Sequence, residues 1–523
     1  MLTSTSKSTK NTSFLNVLIV ATAIVIGIVF FYYRLNYLNA PLGNDESVYL
    51  YLGKMAMQGG APYRDFYEMK PPMLFYSFGI LNALTGFSIL GLHINAILIV
   101  IISAFLIYKT YTRRYLKLPT MLACTIWALL ISSPMIYGNY LQSEHFVVLF
   151  LVLIFYLLQF RTPSNRQIFI AGLLYSAAIL TKQSAIYFIV PGLFLIYELG
   201  TTTKERFQKL LIFSAGVVAL VIFFLVLILA FGTFNDMMYW LFEFPASYVG
   251  RITWANGQNY LKAFAQQIFG FNAYFFGLAG IAFLFVLIGY KKRLNWFYIL
   301  SILFGFASIF TGLRFYGQYW LLFVFPMCFI LIHLFSYVYK QKWATVFFGG
   351  VLLLSFVQIA NAADVYFSQN VDKQINAISN GQSFDKTKKM GLYLNKLLKK
   401  EDTFMVLGAV SQLYLYVDKV APTRHVWNTM LNIETSKNKL YQDEYLNDLS
   451  KEKPTYIFFS FSALHWNLRS SSSNYVYNKC YEFVANNYDR IAILDLKSGD
   501  LIIGEEAKLQ QIKAETYVVY KRK

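Results

Sequence analysis

Residues 44–72 read NDESVYLYLGKMAMQGGAPYRDFYEMKPP and hold seven charged side chains. An apolar run at about 14–33 precedes this stretch, and the chain after it is mostly apolar for almost three hundred residues. A loop rich in charge between apolar runs that are long enough to cross a bilayer indicates a membrane protein with a polar site at one surface.

The composition is that of a polytopic membrane protein. The chain has 523 residues and is 57% hydrophobic, 19% aromatic and 14% charged, whereas soluble domains usually carry about 25% charged residues. The net charge of +19 does not indicate nucleic-acid binding, because the basic residues lie in short loops between apolar runs.

The apolar runs predict an α-helical transmembrane domain over residues 1–363. Eleven spans are expected, at about 14–33, 91–109, 118–136, 145–160, 167–181, 184–199, 210–231, 266–289, 294–311, 319–338 and 343–362. The stretch 73–90 is apolar but short, and a full crossing there would reverse the side of every later loop. We therefore expect a half-helix, an interfacial helix or a re-entrant hairpin, which gives eleven to thirteen helices.

Loop charges predict which ends of the helices face the cytoplasm. Alternating the eleven spans places the N-terminus and sixteen of the 24 Lys and Arg in residues 1–363 on one side, which the positive-inside rule marks as cytoplasmic. Seven of the nine acidic residues fall on the other side, although acidic residues contribute little to that rule. Carboxylates gathered on one face predict a site there; the alternative is that outer loops simply tolerate acid.

The composition changes after about residue 363. The last 160 residues hold eighteen of the 27 acidic residues, and strands are expected at 403–408, 454–460, 490–496, 501–506 and 516–520. This pattern predicts a small, soluble, extracytoplasmic α/β domain over 364–523. It contains no dinucleotide-binding, P-loop or zinc-protease motif, and a lid or an acceptor platform is the expected role.

Asp45 and Glu46 begin a predicted helix. Consecutive helical residues point about 100° apart, so one acid can face a substrate while the other braces the helix start, where acidic side chains interact favourably with the helix dipole. The alternative is that Asp45 is only an N-cap.

The segment APYRDFYEMKPP, residues 61–72, is expected to be rigid and irregular, because its three prolines exclude a regular helix. Its charged side chains are Arg64, Asp65, Glu68 and Lys70. Lysine and arginine suit a phosphate, which arginine can bind with two hydrogen bonds. The alternative is a solvated loop with ordinary surface salt bridges.

Three further outer-loop segments carry candidate residues. Glu144 and His145 lie at the outer end of a span; a divalent metal there is left open, because no second histidine is near in sequence. Lys182 lies between two short helices and is expected either to contact an anion or to snorkel to the interface.

The loop GLRFYGQYW, residues 312–320, combines one cation with hydroxyl and amide donors: Arg314, Tyr316, Gln318 and Tyr319. That set suits a sugar phosphate. The alternative is that its tyrosines and tryptophan are interface anchors.

The order of these motifs resembles that of the GT-C superfamily of membrane glycosyltransferases. It is most similar to the bacterial family 39-like relatives of the protein O-mannosyltransferases and the lipid A aminoarabinose transferases. The motifs NDESVY, PYRDFYEMKPP, AILTK and GLRFYGQYW occur in the family's order over about residues 10–360.

The resemblance implies a polyprenyl-phosphate sugar as donor and an acceptor lipid, glycan or protein on the extracytoplasmic face. It also implies a bacterial inner (plasma) membrane location, with no nucleic-acid partner and no certain cofactor.

Residue types and resemblance together give each candidate an expected role. Asp45 is the expected general base, Glu46 is its companion and Glu68 is a further catalytic acid. The residues expected to bind donor phosphate or sugar are Arg64, Lys70, Lys182, Arg314, Tyr316, Gln318 and Tyr319. The residues expected to line the site or contact the acceptor are Asp65, Glu144 and His145.

The chain departs from the family pattern at three positions. Met69 separates Glu68 from Lys70, and Gln318 stands where many relatives have a histidine. Val48 stands where aminoarabinose transferases have an arginine, so specificity for aminoarabinose is not expected.

Two other functions would use a similar membrane architecture. A transporter or flippase should carry ionisable residues near the middle of the bilayer, whereas the acids here lie towards one face. A polysaccharide polymerase or ligase would share lipid-linked donors but have a different arrangement of loops.

Direct displacement at the anomeric carbon by an acceptor hydroxyl predicts inversion of configuration.

Overall fold

The structure, a computed structural model, describes residues 4–289, 291–371, 375, 383–468 and 474–523, and the side chains from residue 13 onward within these ranges. The first half of the chain is helical. Its α-helices are α1 Ser4–Asn36, α2 Asn44–Met57, α3 Met73–Ala83, α4 Ile89–Tyr111, α5 Lys117–Ile131, α6 Ser143–Leu158, α7 Asn165–Thr181, α8 Ile189–Glu198 and α9 Thr203–Ala230.

The helical part continues to residue 366. It comprises α10 Phe234–Met238, α11 Phe244–Val249, α12 Trp254–Phe271, α13 Ala273–Ile288, α14 Arg293–Ile309, α15 Trp320–Val324, α16 Met327–Val338, α17 Ala344–Asn361 and α18 Ala363–Tyr366. A π-helical turn, Tyr239–Glu243, joins α10 to α11, and a 3-10 helix, Gln183–Phe188, leads into α8.

Each predicted span coincides with helix in the structure. Among the described residues, five helical segments are long and apolar enough to cross a membrane, and a sixth is formed if the bent pair α12 and α13 counts as one span. Shorter apolar helices account for four of the five remaining predicted spans, and the fifth, at 167–181, coincides with α7. The expected mostly helical fold with several apolar helices is therefore confirmed.

The stretch 73–90 contains the 11-residue helix α3 followed by a turn, which agrees with the half-helix or interfacial helix among the expected alternatives and not with the hairpin. One span differs from the expectation. The predicted span 266–289 is broken, because α12 and α13 meet at 97°. The break lies at Asn272, whose buried side-chain amide donates to Ser133 Oγ at 3.0 Å and to Ile268 O at 3.2 Å.

The C-terminal part forms a five-stranded mixed sheet with flanking helices. The elements are α19 Phe384–Leu397, β1 Phe404–Leu407, α20 Gln412–Tyr416, α21 Asn438–Glu452, β2 Tyr456–Ser460, α22 Ala463–Trp466, α23 Tyr475–Asn487, β3 Tyr488–Asp495, β4 Leu501–Ile503, α24 Glu505–Leu509 and β5 Thr516–Arg522. The strand order is β1-β2-β5-β3-β4; β1 and β2 pair in parallel, and the other described pairs are antiparallel. All five segments expected to be strands contribute to the sheet.

Helix α2, which carries Asp45, is held against α3 by close backbone contact. A Cβ atom on Gly53 would lie 2.7 Å from the backbone nitrogen of Gly79, closer than real Cβ contacts allow. Glycine at this crossing is therefore needed for the two helices to pack, and the packing sets the position of the start of α2.

The C-terminal part packs directly on the first loop. One hydrophobic cluster joins buried side chains of α2 and α3 to those of the sheet. Polar contacts bridge the same interface: Tyr67 Oη lies 2.7 Å from His425 Nδ1, and Gln412 Nε2 donates to Asn44 Oδ1 at 2.6 Å. Tyr67 also stacks on Trp240, with ring centroids 3.8 Å apart. The first loop is thus held between the helices and the sheet.

Candidate active site

A cavity of about 390 Å³ opens where the first loop meets the C-terminal part. Its charged lining residues are Asp45, Glu68, Lys70, Lys182, Arg251 and Arg314, and the imidazole of His465 also lines it. Tyrosines, including those at positions 49, 137, 248, 316 and 319, supply much of the remaining wall. Carboxylates, cations and hydroxyl groups therefore surround one space, which suits an anionic ligand that also carries hydroxyl groups.

Asp45 is the carboxylate at the start of α2 that faces this cavity. Its Oδ2 accepts a hydrogen bond of 3.1 Å from Gln318 Nε2. Burial raises the pKa of Asp45 above its ordinary value, and the nearby charges of Lys70 and Lys182 partly oppose that rise. A carboxylate whose pKa is raised is a stronger base than a solvated one, which suits proton abstraction near neutral pH.

Glu46 turns away from the cavity. Its Oε1 accepts from Gly43 N and its Oε2 from Leu141 N, both at 3.0 Å, while His93 Nε2 lies 3.4 Å from Oε1. The side chain is fully buried. Glu46 thus caps α2 and ties it to the loop before α6, so the expected catalytic role does not match its position. Asp45 is not the cap, which removes the alternative that it is only an N-cap.

Glu68 and Lys70 both line the cavity, on either side of Met69. Their charged atoms are 3.6 Å apart, and Glu68 Oε1 accepts from Met69 N at 2.9 Å. Burial raises the pKa of Glu68. The loop is fixed by Tyr63 Oη, which donates to Lys70 O at 2.9 Å, so the inserted Met69 does not remove either charge from the cavity.

Lys182 reaches the cavity from the end of α7 and pairs with Glu144 behind it. Glu144 is fully buried and also accepts from Ser143 Oγ at 2.8 Å. The Lys182 ammonium lies 4.5 Å from the centre of the Tyr319 ring. Glu144 therefore holds Lys182 in place rather than lining the cavity itself.

His145 lies at the first turn of α6 and does not reach the cavity. Its Nδ1 accepts from Gln142 N at 3.1 Å, which caps the helix. The expected role of His145 in lining the site therefore does not match its position. Within the described residues, no group of three or more His, Cys, Asp or Glu is arranged to hold a metal ion.

Arg314 enters the cavity beside aromatic rings. Its guanidinium carbon lies 3.6 Å from the centre of the Tyr248 ring, and the group donates to Tyr316 Oη at 3.3 Å and Tyr248 O at 3.2 Å. The Nε atom is buried and makes no hydrogen bond, and no carboxylate in the described part of the chain lies within 4.0 Å of the guanidinium. Arg314 thus has donor capacity left for an anion.

Arg64 and Asp65 lie away from this cavity. They pair with each other at 2.8 Å, with 56% and 38% of their side chains exposed. The bond from Arg64 lowers the pKa of Asp65, and Asp65 Oδ2 also accepts from Ala61 N at 2.8 Å. The expected roles in phosphate binding and acceptor contact do not match this placement, because residues 61–66 turn back on themselves through a contact between Pro62 and Phe66.

The roof of the cavity comes from residues that the sequence did not point to. The contributing side chains from the C-terminal part include Trp427, Met430, Leu464 and His465. Burial lowers the pKa of His465 to about 4, and its Nδ1 lies 2.7 Å from Ser460 Oγ. These positions follow Asp45 by more than 380 residues, and no local motif marks them.

Part of the chain matches the sequence model of a known protein family. Residues 69–229 match the family model described as dolichyl-phosphate-mannose-protein mannosyltransferase. No curated protein sequence matches the chain.

Three solved structures are similar to this chain to different degrees. ArnT from Cupriavidus metallidurans bound to undecaprenyl phosphate has a TM-score of 0.56 at 13% identity, over 96% of this chain and 97% of that one. Its apo state has a TM-score of 0.51 at 15% identity, with the same coverage. The Archaeoglobus fulgidus oligosaccharyltransferase with a tethered acceptor peptide has a TM-score of 0.47 at 11% identity, over 95% of this chain and 75% of that one.

The two ArnT structures share this chain's fold over almost its full length, and the family model covers the first loop's end through α9. The chain is thus similar in fold to these two structures, and residues 69–229 are similar to the family described as dolichyl-phosphate-mannose-protein mannosyltransferase.

Proposed function

We propose that this enzyme moves a sugar from a polyprenyl-phosphate-linked donor to a hydroxyl group of an acceptor lipid, glycan or protein. The observation that carries the proposal is a single cavity that presents the Asp45 carboxylate together with the cations of Lys70, Lys182 and Arg314. The likeness in fold to a structure bound to undecaprenyl phosphate supports the choice of donor.

Asp45 is the proposed general base. The acceptor oxygen attacks the anomeric carbon while its proton passes to the Asp45 carboxylate, and the bond from that carbon to the phosphate oxygen breaks. The products are the glycosylated acceptor and polyprenyl phosphate. Because one displacement occurs at the anomeric carbon, its configuration is inverted.

The cations have the complementary task at the leaving group. Negative charge that develops on the departing phosphate is stabilised by fixed cations in a site that excludes water. The charges of Lys70 and Lys182 are shared with Glu68 and Glu144, so Arg314 is the strongest candidate for direct phosphate contact. Its guanidinium can donate two parallel hydrogen bonds to one phosphate.

Mass spectrometry of glycolipids and glycoproteins tests this function. A deletion strain is expected to lose one glycan modification, and purified enzyme with the matching polyprenyl-phosphate sugar is expected to restore it and release polyprenyl phosphate. An unchanged set of glycolipids and glycoproteins in the deletion strain would contradict the proposal.

Gln318 is expected to set the pH dependence of transfer. Its hydrogen bond stabilises the ionised form of Asp45 and so lowers a pKa that burial raises. Gln318→Met removes this bond, the pKa of Asp45 rises, and a larger fraction of the base is protonated at acidic pH. We expect the fall of kcat/KM on the acidic side of the pH profile to move to higher pH. The profile is measured from initial rates across pH 4 to 9. Gln341→Met, on an exposed turn far from the cavity, should leave the profile in place; an unmoved profile in Gln318→Met would count against Asp45 as the base.

We also assign the cavity to the extracytoplasmic face of a bacterial inner membrane, with the N-terminus in the cytoplasm and residues 364–523 as a soluble unit that roofs the site. The basic loops near Arg114, Lys204 and Lys292 support this orientation by the positive-inside rule. An impermeant thiol reagent applied to intact spheroplasts should label Lys497→Cys and spare Lys204→Cys. The reverse pattern would overturn the orientation.

A further inference from the structure

A second cavity in the described part of the chain lies apart from the candidate active site. It has a volume of about 700 Å³ and lies between the ends of α6, α8, α14 and α16. Gln142, just before α6, lines the active-site cavity, whereas Leu158, the last residue of α6, lines this one. Because a 16-residue helix is about 24 Å long, the second cavity lies near the opposite end of the helical part.

Basic side chains dominate the polar lining of this second cavity. They are Arg114, Lys292, Arg293 and Lys340, against the single carboxylate of Glu198. Glu198 lies 3.5 Å from Arg293. The other three cations have no carboxylate within 4.0 Å among the residues the structure describes. Three uncompensated positive charges around one concave space attract an anion.

Buried polar groups in the wall also have incomplete hydrogen bonding. Gln159 is 2% exposed, and among the described residues its side-chain amide has Tyr111 as its one interacting side chain, so most of its hydrogen-bonding capacity is unused. The hydroxyl group of Ser336 is also buried, and it is unpartnered. Unsatisfied buried polar groups are costly, so a ligand that offers both hydrogen-bond donors and acceptors would satisfy them.

The rest of the wall is apolar. Leu158, Phe194, Leu195 and Phe297 line the cavity between helices whose neighbouring surfaces are hydrophobic. Inorganic phosphate has no apolar groups to pack against these side chains. A lipid can place its phosphate among the cations and its glycerol and acyl groups against the apolar side chains. Basic pockets between membrane helices are a known means of binding lipid headgroups.

We propose that this cavity is a binding site for the phosphate-bearing headgroup of an anionic membrane phospholipid. It differs from the donor site in location and in residues, and it does not depend on the sugar-transfer reaction. The lipid headgroup would neutralise Arg114, Lys292 and Lys340 and hold together the ends of α6, α14 and α16.

The test is lipid binding to the full-length protein in detergent, measured by native mass spectrometry. Phosphatidylglycerol, zwitterionic phosphatidylcholine and inorganic phosphate are titrated separately and in competition. We expect wild-type protein to retain phosphatidylglycerol in preference to phosphatidylcholine, and a molar excess of inorganic phosphate not to displace it. Equal retention of the two lipids, or displacement by equimolar inorganic phosphate, would overturn the proposal even without any variant.

Two triple variants separate this cavity from general surface charge. Arg114→Gln/Lys292→Gln/Lys340→Gln removes the unpaired cations of the cavity and is expected to weaken phosphatidylglycerol binding by at least about tenfold. The matched control removes three exposed lysines near the same end of the helices that do not line it: Lys117→Gln/Lys204→Gln/Lys342→Gln. Binding by the control should stay within about twofold of wild type. An equal loss in both variants would show diffuse attraction and overturn a defined site.

Discussion

Asp45→Asn is expected to lower the rate of sugar transfer by about a hundredfold to ten-thousandfold, the range that general-base catalysis contributes. Asparagine has the same shape as aspartate, and its side-chain oxygen can still accept the bond from Gln318 Nε2. It cannot take up the proton of the acceptor hydroxyl. The loss should therefore appear in kcat, with little change in KM for the donor, and is measured with purified enzyme and a labelled polyprenyl-phosphate sugar.

Asp65→Asn is the matched control for this experiment. Asp65 lies in the same loop and carries the same charge, but it pairs with Arg64 away from the cavity. Transfer by the control should remain within about threefold of wild type, because exposed ion pairs contribute little. An Asp45→Asn enzyme that turns over like wild type, with wild-type thermal stability, would exclude Asp45 as the base.

Lys182→Met is expected to cause the largest loss of stability among the site variants. Glu144 is fully buried, and without Lys182 its one other side-chain hydrogen-bond donor in the described part of the chain is Ser143 Oγ. Breaking a buried ion pair in this way costs about 3–5 kcal/mol of unfolding free energy. The loss is measured by denaturant titration of the protein in detergent.

A second substitution separates stability from catalysis. Lys182→Met/Glu144→Leu removes both charges, and replacing a whole buried pair by apolar groups is often close to neutral. We expect this double variant to regain most of the stability but not the transfer rate, because the cation beside the leaving phosphate is still missing. Regained transfer would show that Lys182 has only a structural role.

Lys54→Met provides the control for stability. The ammonium of Lys54 lies 2.6 Å from Asp418, whose side chain is 83% exposed. A surface pair of this kind contributes about 0–1 kcal/mol, so the same substitution should have a small effect there. If Lys54→Met and Lys182→Met destabilise the protein equally, burial of the Glu144 pair is not the cause.

Patterns among neighbouring residues were sufficient to predict the membrane-spanning helices and the strands. Runs of apolar residues marked the helices expected to cross the membrane, because one unbroken apolar segment is a local property that a helix satisfies by its own hydrogen bonds. Short apolar runs marked the five strands. The break at Asn272 was missed, since it depends on a partner, Ser133, that lies 139 positions earlier.

The sequence predicted that Asp45 and Glu46 have different roles, but it did not predict which of the two braces the helix. The helical angle between Asp45 and Glu46 required that they point in different directions. Only the positions of Gly43, Leu141 and His93 show that Glu46 is the brace. Similarly, the charges of Arg64 and Asp65 gave no sign that the chain turns back and removes both side chains from the cavity.

The order of charged and apolar residues along the chain was enough to identify the helices, the strands and the ends at which acids and bases gather, because these follow from neighbouring residues and from the bilayer. Contacts between residues up to several hundred positions apart decide three features of the site. They decide which carboxylate faces the cavity, which cation keeps free hydrogen-bond donors and which C-terminal side chains form the roof. Those contacts arise only when the helices and the sheet pack against one another, and for that reason the site of Asp45, Lys182, Arg314 and His465 exists in the tertiary structure alone.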